Sequence, residues 1–298
     1  MIDRRAWLAE RRTGIGGSDA AGVLSLSKWK TPLDVYMDKR GETGDGEDSE
    51  PMLWGRVLEP VVRAQYAERT GRDVTVPPAM VRHPKYPFML ANLDGVTDDV
   101  RLLECKTART ALEWGEVGTD QVPVPYMLQV QHYMAVTAIA VTDVAVLIGG
   151  SDFRIYEVRA DIDLQEMIIE AEAAFWQNVQ RAIPPEPRTY ADMQAMFGKV
   201  SRAVEIEATP EVAAAVDEIR NAKATIKTLE TEIEDQQAIV MKALGDADTL
   251  VANGRPLVTW RQEKAATLFD AKAFQVVHAD LYAQFMKAGK SSRKFLIK

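Results

Sequence analysis

Cysteine is nearly absent from this chain of 298 residues: Cys105 stands alone. One thiol closes no internal disulfide and builds no thiolate-ligated zinc or iron–sulfur site. Histidine is scarce too. His83, His132 and His278 lie far apart without ligand spacing, which argues against a structural zinc site. No apolar run is long enough to cross a bilayer. The opening MIDRRAWLAERR has no apolar signal core, so the expectation is a protein kept in a reducing cytoplasm, without membrane contact. An excess of positive charge is also missing: 36 Lys and Arg stand against 44 Asp and Glu, a formal net charge of −8. That counts against a simple nucleic-acid binder, because phosphate contacts need Lys and Arg.

What is present is unevenly spread. Residues 1–40 hold Arg4, Arg5, Arg11, Arg12, Lys28, Lys30, Lys39 and Arg40, and the closing KAGKSSRKFLIK carries only basic charge. Acid collects in GETGDGEDSE (41–50) and along 205–235. An acidic chain can therefore still hold DNA in a local basic groove, and a carboxylate metal site adds negative charge of its own. The length suits one large domain or a domain with an appendage.

Local signals sketch the elements. A short helix over 3–12 centres on Trp7 and Leu8, and Ser18-Asp19 reads as the cap of a helix through Val23. Thr31-Pro32 opens a helix over 32–40, and Pro51 opens one that Gly71 closes after Thr70. Strands follow at 74–76, at 80–83, in FMLANLDGV and in VRLLECKT, with a turn at Asp98-Asp99. Pro125 opens the helix YMLQVQHYMAVTAIA; a hairpin, VTDVAVLIGG with FRIYEVRA, comes next; then a helix over 163–182. PPEPRTYAD (184–192) reads as a linker. These elements predict an α/β (α+β) core, a small mixed sheet flanked by helices, over residues 1–200.

Residues 201–298 read as a separate extension. Val212, Ile219, Ile226, Ile233 and Val240 recur every seven residues, while Lys223, Glu230 and Gln237 interrupt the companion positions. That is a long, coiled-coil-like helix with a thin apolar stripe. Asn253-Gly254 marks a hairpin, Pro256 places its strand at a sheet edge, and a last helix is expected over 270–287. Lys287, Lys290, Arg293, Lys294 and Lys298 form a basic tail suited to DNA or a partner.

The chemistry concentrates in NLDGVTDDVRLLECKTAR (92–109). Strand alternation puts Glu104 and Lys106 on one face and Leu103 and Cys105 on the other. Antiparallel pairing brings Asp94, at a Gly-flanked bend, level with Glu104. Two carboxylates at one place repel, and a divalent cation resolves the repulsion. Oxygen ligands without His or Cys side chains suit Mg²⁺, with Mn²⁺ as a substitute. A lysine beside such a site can orient a water and stabilise charge on a phosphate, the equipment of metal-assisted phosphodiester hydrolysis. The plainer alternative is a hairpin with solvated surface charges. Asp270-Ala271-Lys272 repeats the acid-x-Lys spacing but has no partner carboxylate.

Three further stretches support the sharper reading. LWGRVLEPVVRAQY sets Glu59 on a helix with an apolar side, PYMLQVQHYM sets Gln129 and Tyr133 one turn apart, and RRTGIGGSDAAGVL combines Arg12, Ser18 and a helix N-terminus into an anion site. Each also reads as an ordinary polar face or a capped turn.

Taken in order, Arg…GGS, a G-R-x-x-E helix, Asp-Gly, Glu-x-Lys and Gln-x-Gln resemble the lambda-exonuclease group, or YqaJ-type viral recombinases, of the PD-(D/E)xK nuclease superfamily. The resemblance spans about residues 5–160. It implies a restriction-endonuclease-like core and a 5′→3′ exonuclease on double-stranded DNA ends, releasing 5′-mononucleotides and leaving 3′ single-stranded tails. By the family pattern Asp94, Glu104 and the Cys105 backbone carbonyl bind Mg²⁺ and Glu59 supports the metal, through a water if not directly. Lys106 and Gln129 hold the nucleophilic water, and Arg12 and Ser18 grip the 5′-phosphate. The family analogy further implies a phage or prophage origin, a single-strand annealing protein as partner and a ring trimer. The extension beyond about residue 200 departs from the lambda enzyme and leaves the trimer open. Two other classes stay open on the residues: an endonuclease of the same superfamily, and a non-catalytic scaffold or DNA-end-binding protein built on the heptad helix.

Overall fold

The computed structural model describes residues 4–43, 49–198, 204–287 and 293–297. The chain divides into two compact units, Met1–Met196 and Phe197–Lys298. In chain order the elements are α1 (Arg4–Arg11), β1 (Ile15–Gly16), α2 (Gly17–Val23), α3 (Pro32–Lys39), α4 (Glu50–Thr70), β2 (Val74–Thr75), β3 (Val81–Arg82), β4 (Met89–Ala91), β5 (Gly95–Thr97) and β6 (Leu102–Ala108). They continue with α5 (Val124–Thr137), β7 (Val141–Ile148), β8 (Asp152–Arg159), α6 (Ile162–Arg181), α7 (Tyr190–Phe197), α8 (Pro210–Leu244), β9 (Thr249–Ala252), β10 (Arg255–Thr259), α9 (Ala271–Val277) and α10 (Ala279–Phe285).

The first unit is built on a five-stranded mixed sheet of order β2-β5-β6-β7-β8. The β5–β6 and β7–β8 pairs are antiparallel and β6–β7 is parallel. A parallel pair needs a long crossover, and α5 with the loop before it supplies one. The two sheet faces are covered differently. Leu103, Cys105 and Ala145 pack against Val62 and Tyr66 of α4. On the other face Leu102, Val144 and Val146 join Leu128, Val130 and Met134 of α5 and Ile168 of α6 in the largest core cluster. Alternation along β6 therefore sends Glu104 and Lys106 toward the α5 side, as the strand period requires.

A second sheet, of order β1-β4-β3, is a finding that the residues alone did not predict. FMLANLDGV reads as one strand, but it splits between β4 in the small sheet and β5 in the large one. The break falls at 92–94, where side chains take over the backbone. Arg63 Nη1 donates to the Asp94 carbonyl at 2.7 Å, and the Asp94 carboxylate accepts from the Cys105 N–H at 2.8 Å.

The helix ends follow capping chemistry with two corrections. Thr31 Oγ1 accepts from the Asp34 N–H at 3.2 Å, and Gly71 closes α4 in the left-handed region at φ 71°. Ser18-Asp19 is not the cap of α2: Gly16 holds that place, and Asp19 reaches back to the Gly16 N–H at 3.3 Å. α5 ends at Thr137, before the expected alanine stretch, because Ala138 turns left-handed at φ 58°. The expected linker over 184–192 is docked instead. Asp192 is buried and accepts from Thr31 Oγ1 at 2.7 Å and from the N–H groups of Arg188 and Thr189.

In the second unit α8 runs for 35 residues, and Val212, Ile219, Ile226 and Ile233 of its heptad stripe are exposed. β9 and β10 form a hairpin around Asn253 and Gly254, both at positive φ as a tight two-residue turn requires. The last helix is two helices, interrupted at His278. The β-branched pair Val276-Val277 weakens helix at that point. Lys290 and Lys298 of the basic tail lie outside the described residues, as do 44–48 of the acidic loop.

Candidate active site

Register places the two central carboxylates. Gly95 pairs with Leu103 in the antiparallel β5–β6 ladder, and one step further Asp94 faces Glu104. Glu104 is only 2% exposed. Its Oε1 accepts from Gln129 Nε2 at 2.7 Å and meets Lys106 Nζ at 2.5 Å. Among the described residues its Oε2 is buried with no hydrogen-bond partner. Lys106 Nζ also donates to Gln129 Oε1 at 3.0 Å and stands 4.8 Å from the centre of the Tyr126 ring. Gln129 Nε2 reaches the Tyr133 hydroxyl at 3.2 Å. These side chains line a cavity of about 530 Å³ walled by α1, α4, β6 and α5.

The electrostatics are those of carboxylates waiting for positive charge. Burial and the neighbouring Glu104 hold Asp94 well above the usual carboxylate range. Burial also raises Glu104, and the Lys106 ammonium only partly offsets it. Lys106 itself is raised: burial works against its charge, but Glu104 and Asp94 outweigh burial. Burial pushes the Cys105 thiol up, so its side chain is inert there.

A hard divalent cation fits this set. Asp94, Glu104 and the Cys105 carbonyl offer oxygen only, and a buried carboxylate oxygen without a partner is costly unless something positive meets it. Glu59 stands further out. It lines the same cavity, but its carboxylate accepts from Arg63 Nη1 at 3.0 Å, and the same guanidinium nitrogen holds the Asp94 carbonyl. Among the described residues no three His, Cys, Asp or Glu side chains gather as a metal cluster. The side-chain set is therefore the pair Asp94 and Glu104, with Glu59 linked to it through Arg63.

At the other end of the cavity the neighbour of Ser18 is Arg11, not Arg12. Arg11 Nη2 donates to Ser18 Oγ at 3.0 Å and to Asp19 Oδ1 at 2.7 Å. Arg12 lies 3.7 Å from Asp38, away from the cavity lining. The helical phase of α1 explains the difference. Arg11 is one turn from Trp7, its guanidinium lies 5.6 Å from that ring, and Trp7, Leu8 and Arg11 share the face toward the cavity. Asp19, fully buried, organises this corner: Lys39 Nζ, Arg11 and Lys30 Nζ meet it at 2.6, 2.7 and 3.2 Å. Burial alone would raise Asp19, yet these cations hold it well below the usual carboxylate range. Gly17 permits the close approach of α2 to α5, since a Cβ there would lie 2.5 Å from the Tyr133 ring.

Residues 6–140 match the model of the YqaJ-like viral recombinase domain. The chain is similar to this domain family over that stretch. It is 41% identical over 183 residues to the protein YqaJ of Bacillus subtilis (strain 168), a match covering 59% of this chain and 56% of that one. The chain thus spans just over half the length of this relative. Two crystal structures of the alkaline exonuclease LHK-Exo from Laribacter hongkongensis, one of them in complex with dAMP, superimpose with a TM-score of 0.50 at 22% identity. They cover 60% of this chain and 94% of theirs. This likeness is one of fold, a mixed sheet flanked by helices.

Arg11, Asp19 and Arg63 are the site residues that sequence reasoning missed. Two carried a signal. Arg63 is one turn from Glu59 on α4, and Arg11 is in phase with Trp7 on α1. Asp19 carried none, because its three cations come from three separate segments.

Proposed function

We propose that this protein is a metal-dependent deoxyribonuclease that degrades double-stranded DNA from its ends in the 5′→3′ direction. One observation carries the reading: the buried, unpartnered Oε2 of Glu104, a carboxylate that lines one open cavity together with Asp94 and Lys106. A Mg²⁺ ion, or Mn²⁺ in its place, held by Asp94, Glu104 and the Cys105 carbonyl, would supply Lewis-acid stabilisation of the phosphate charge.

The chain's own residues do the rest. Lys106 presents an ammonium that can hold a water and offset charge developing on phosphorus. Gln129 is clamped between Glu104 and Lys106, so its amide is fixed and positions both. The water attacks phosphorus in line and the bond to the leaving 3′-oxygen breaks. Arg11 and Ser18 bind the terminal 5′-phosphate, which selects strand ends over internal sites. Glu59 keeps Arg63 in place behind Asp94. Products are 5′-mononucleotides and a duplex with a 3′ single-stranded tail. Such a tail is the substrate of a single-strand annealing protein, the partner we assign, in a bacterial host cytoplasm, and the protein itself is of phage or prophage origin by family analogy. A ring trimer remains part of this proposal, by family analogy.

A time course on linear duplex labelled at one 5′ end, with and without Mg²⁺, tests the reading. Early release of labelled mononucleotide is expected from the wild-type chain. Glu104→Gln and Lys106→Ala should lose at least about 100-fold in rate while DNA binding stays measurable. Normal digestion by both variants would mean that the site is misassigned. Rapid nicking of closed circular DNA would favour an endonuclease, and no cleavage with any divalent ion would favour a DNA-end-binding scaffold.

A further inference from the structure

Trp29 is one of the more exposed aromatic side chains of the first unit, at 66%, yet it stands on a tightly held loop. Between α2 and α3, Ser27 Oγ accepts from the N–H groups of both Trp29 and Lys30, at 3.1 and 3.2 Å. The Leu26 N–H donates to the Ala21 carbonyl at 2.8 Å, and Ser25 Oγ accepts from Arg188 at 2.9 Å. Lys28 pairs with Glu113, and Lys30 reaches the buried Asp19. Local looseness therefore does not account for the exposure. The loop fixes a large apolar ring in contact with water, where no neighbour among the described residues takes up most of its surface.

The place of that ring indicates its use. Trp29 stacks on Tyr126 with ring centres 6.3 Å apart and planes inclined by 25°. Tyr126 lines the cavity and carries Lys106 Nζ 4.8 Å from its own ring centre. A continuous path, Lys106 then Tyr126 then Trp29, leads from the proposed reaction centre to the protein surface. Trp114 braces Tyr126 from within at 5.6 Å. Flat, cation-bearing and rigid, such a ladder suits a flat π-system joined to an anionic backbone. Stacking on an indole needs no base-specific hydrogen bond and so accepts every base.

We propose that Trp29 is a binding residue that stacks on a nucleobase of the DNA strand leading into the cavity, near the nucleotide whose phosphate meets Lys106. The proposal rests on the nuclease reading above and adds to it a site for an unpaired base. The stacked base belongs to single-stranded DNA, because a paired base inside a duplex shows its face only at the end of the stack.

The test measures binding of the full chain to a short 5′-phosphorylated single-stranded oligonucleotide. Fluorescence anisotropy is recorded in Ca²⁺, a hard cation suited to oxygen ligands. The same oligonucleotide is then used with one abasic position moved along its length. Trp29→Ala should weaken binding of the intact oligonucleotide by about 5- to 150-fold, the range for loss of one stacked base, and Trp29→Phe should keep most of the affinity. In the wild-type chain one abasic position should cost a similar factor, and in Trp29→Ala that same position should cost nothing further. An abasic series without a sensitive position overturns the proposal using the wild-type chain alone. Equal affinity of wild type and Trp29→Ala, or an abasic penalty unchanged by the substitution, overturns it too. If the wild-type chain cleaves linear DNA but shows these results, the stacking site falls and the nuclease reading stands. If it neither binds nor cleaves DNA, both fall together.

Discussion

Replacing Asp19 by asparagine keeps the side-chain volume and removes one negative charge from a buried ionic cluster of the first unit. Lys39 is the partner that sets the magnitude. Its side chain has no solvent exposure and its Nζ lies 2.6 Å from Asp19 Oδ2. Breaking a buried pair by removing one partner costs about 3–5 kcal/mol. An upper bound comes from the alternative of neutralising the stranded lysine, about 5 kcal/mol at pH 7 for a lysine of ordinary pKa. Burial already lowers Lys39, so the variant should fall below that bound. Lys30 is 40% exposed and Arg11 is 20% exposed, so solvent screens their losses, and the exposed Lys30 pair adds at most about 1 kcal/mol. The expected loss is therefore about 3–4 kcal/mol at pH 7. The sign with pH follows from the depressed carboxyl. Its stabilisation is fully present above the ordinary carboxylate pKa and is lost only as pH falls through the lower folded value. The gap between wild type and Asp19→Asn should hold from pH 7 to about 5 and close only in stronger acid. Urea unfolding followed by near-ultraviolet circular dichroism measures it, since five of the six tryptophans lie within residues 1–196. A loss under about 1 kcal/mol at pH 7, the size of an exposed pair, would refute the reasoning, as would a gap that closes above pH 5.

Further expectations concern the cavity and the core beneath it. Arg11→Ala should slow digestion of 5′-phosphorylated duplex by roughly 10-fold or more and leave 5′-hydroxyl ends little affected, whereas Arg12→Ala should not discriminate between the two ends; rates on both substrates decide. Gly17→Ala should destabilise the first unit by about 1–3 kcal/mol through the contact with Tyr133, and unchanged thermal unfolding would contradict the tight α2–α5 approach. His132 Nδ1 lies 2.9 Å from Glu172 and its Nε2 lies 3.0 Å from the Leu90 carbonyl. Burial opposes its charge, but Glu172 raises its pKa overall. The His132 charge contributes fully below the ordinary histidine pKa, as long as Glu172 stays ionised, and its contribution fades as pH rises through the raised folded value. Glu172→Gln should move the His132 titration down, read by NMR, and an unmoved titration would remove the pairing.

Much of the candidate site's layout was legible in NLDGVTDDVRLLECKTAR because its signals are local. Strand alternation put Glu104 and Lys106 on one face, and the antiparallel register brought Asp94 opposite Glu104. The caps at Thr31 and Gly71 and the Asn253-Gly254 turn are equally local and stand where their residues indicate. Less was legible where distant segments compete for one backbone. The strand through 88–96 breaks because Arg63, from another element, takes the Asp94 carbonyl. The proline-rich stretch after 184 is ordered because Thr31, more than 150 positions earlier, meets Asp192. The choice between Arg11 and Arg12 needed the phase of α1 against the cavity, which the dipeptide Arg-Arg does not reveal.

The residues by themselves determined the type of site: two acids, a lysine and a glutamine at strand and helix spacings that side-chain periodicity converts directly into faces. Only the tertiary structure decided the contents of that site. It left Glu104 Oε2 without a partner, set Glu59 outside the acidic pair, gathered three cations on Asp19 and stacked Trp29 on Tyr126 beside Lys106. The physical reason is range. Periodicity and capping act over a few residues, whereas desolvation and charge pairing depend on groups that meet only after the chain has folded.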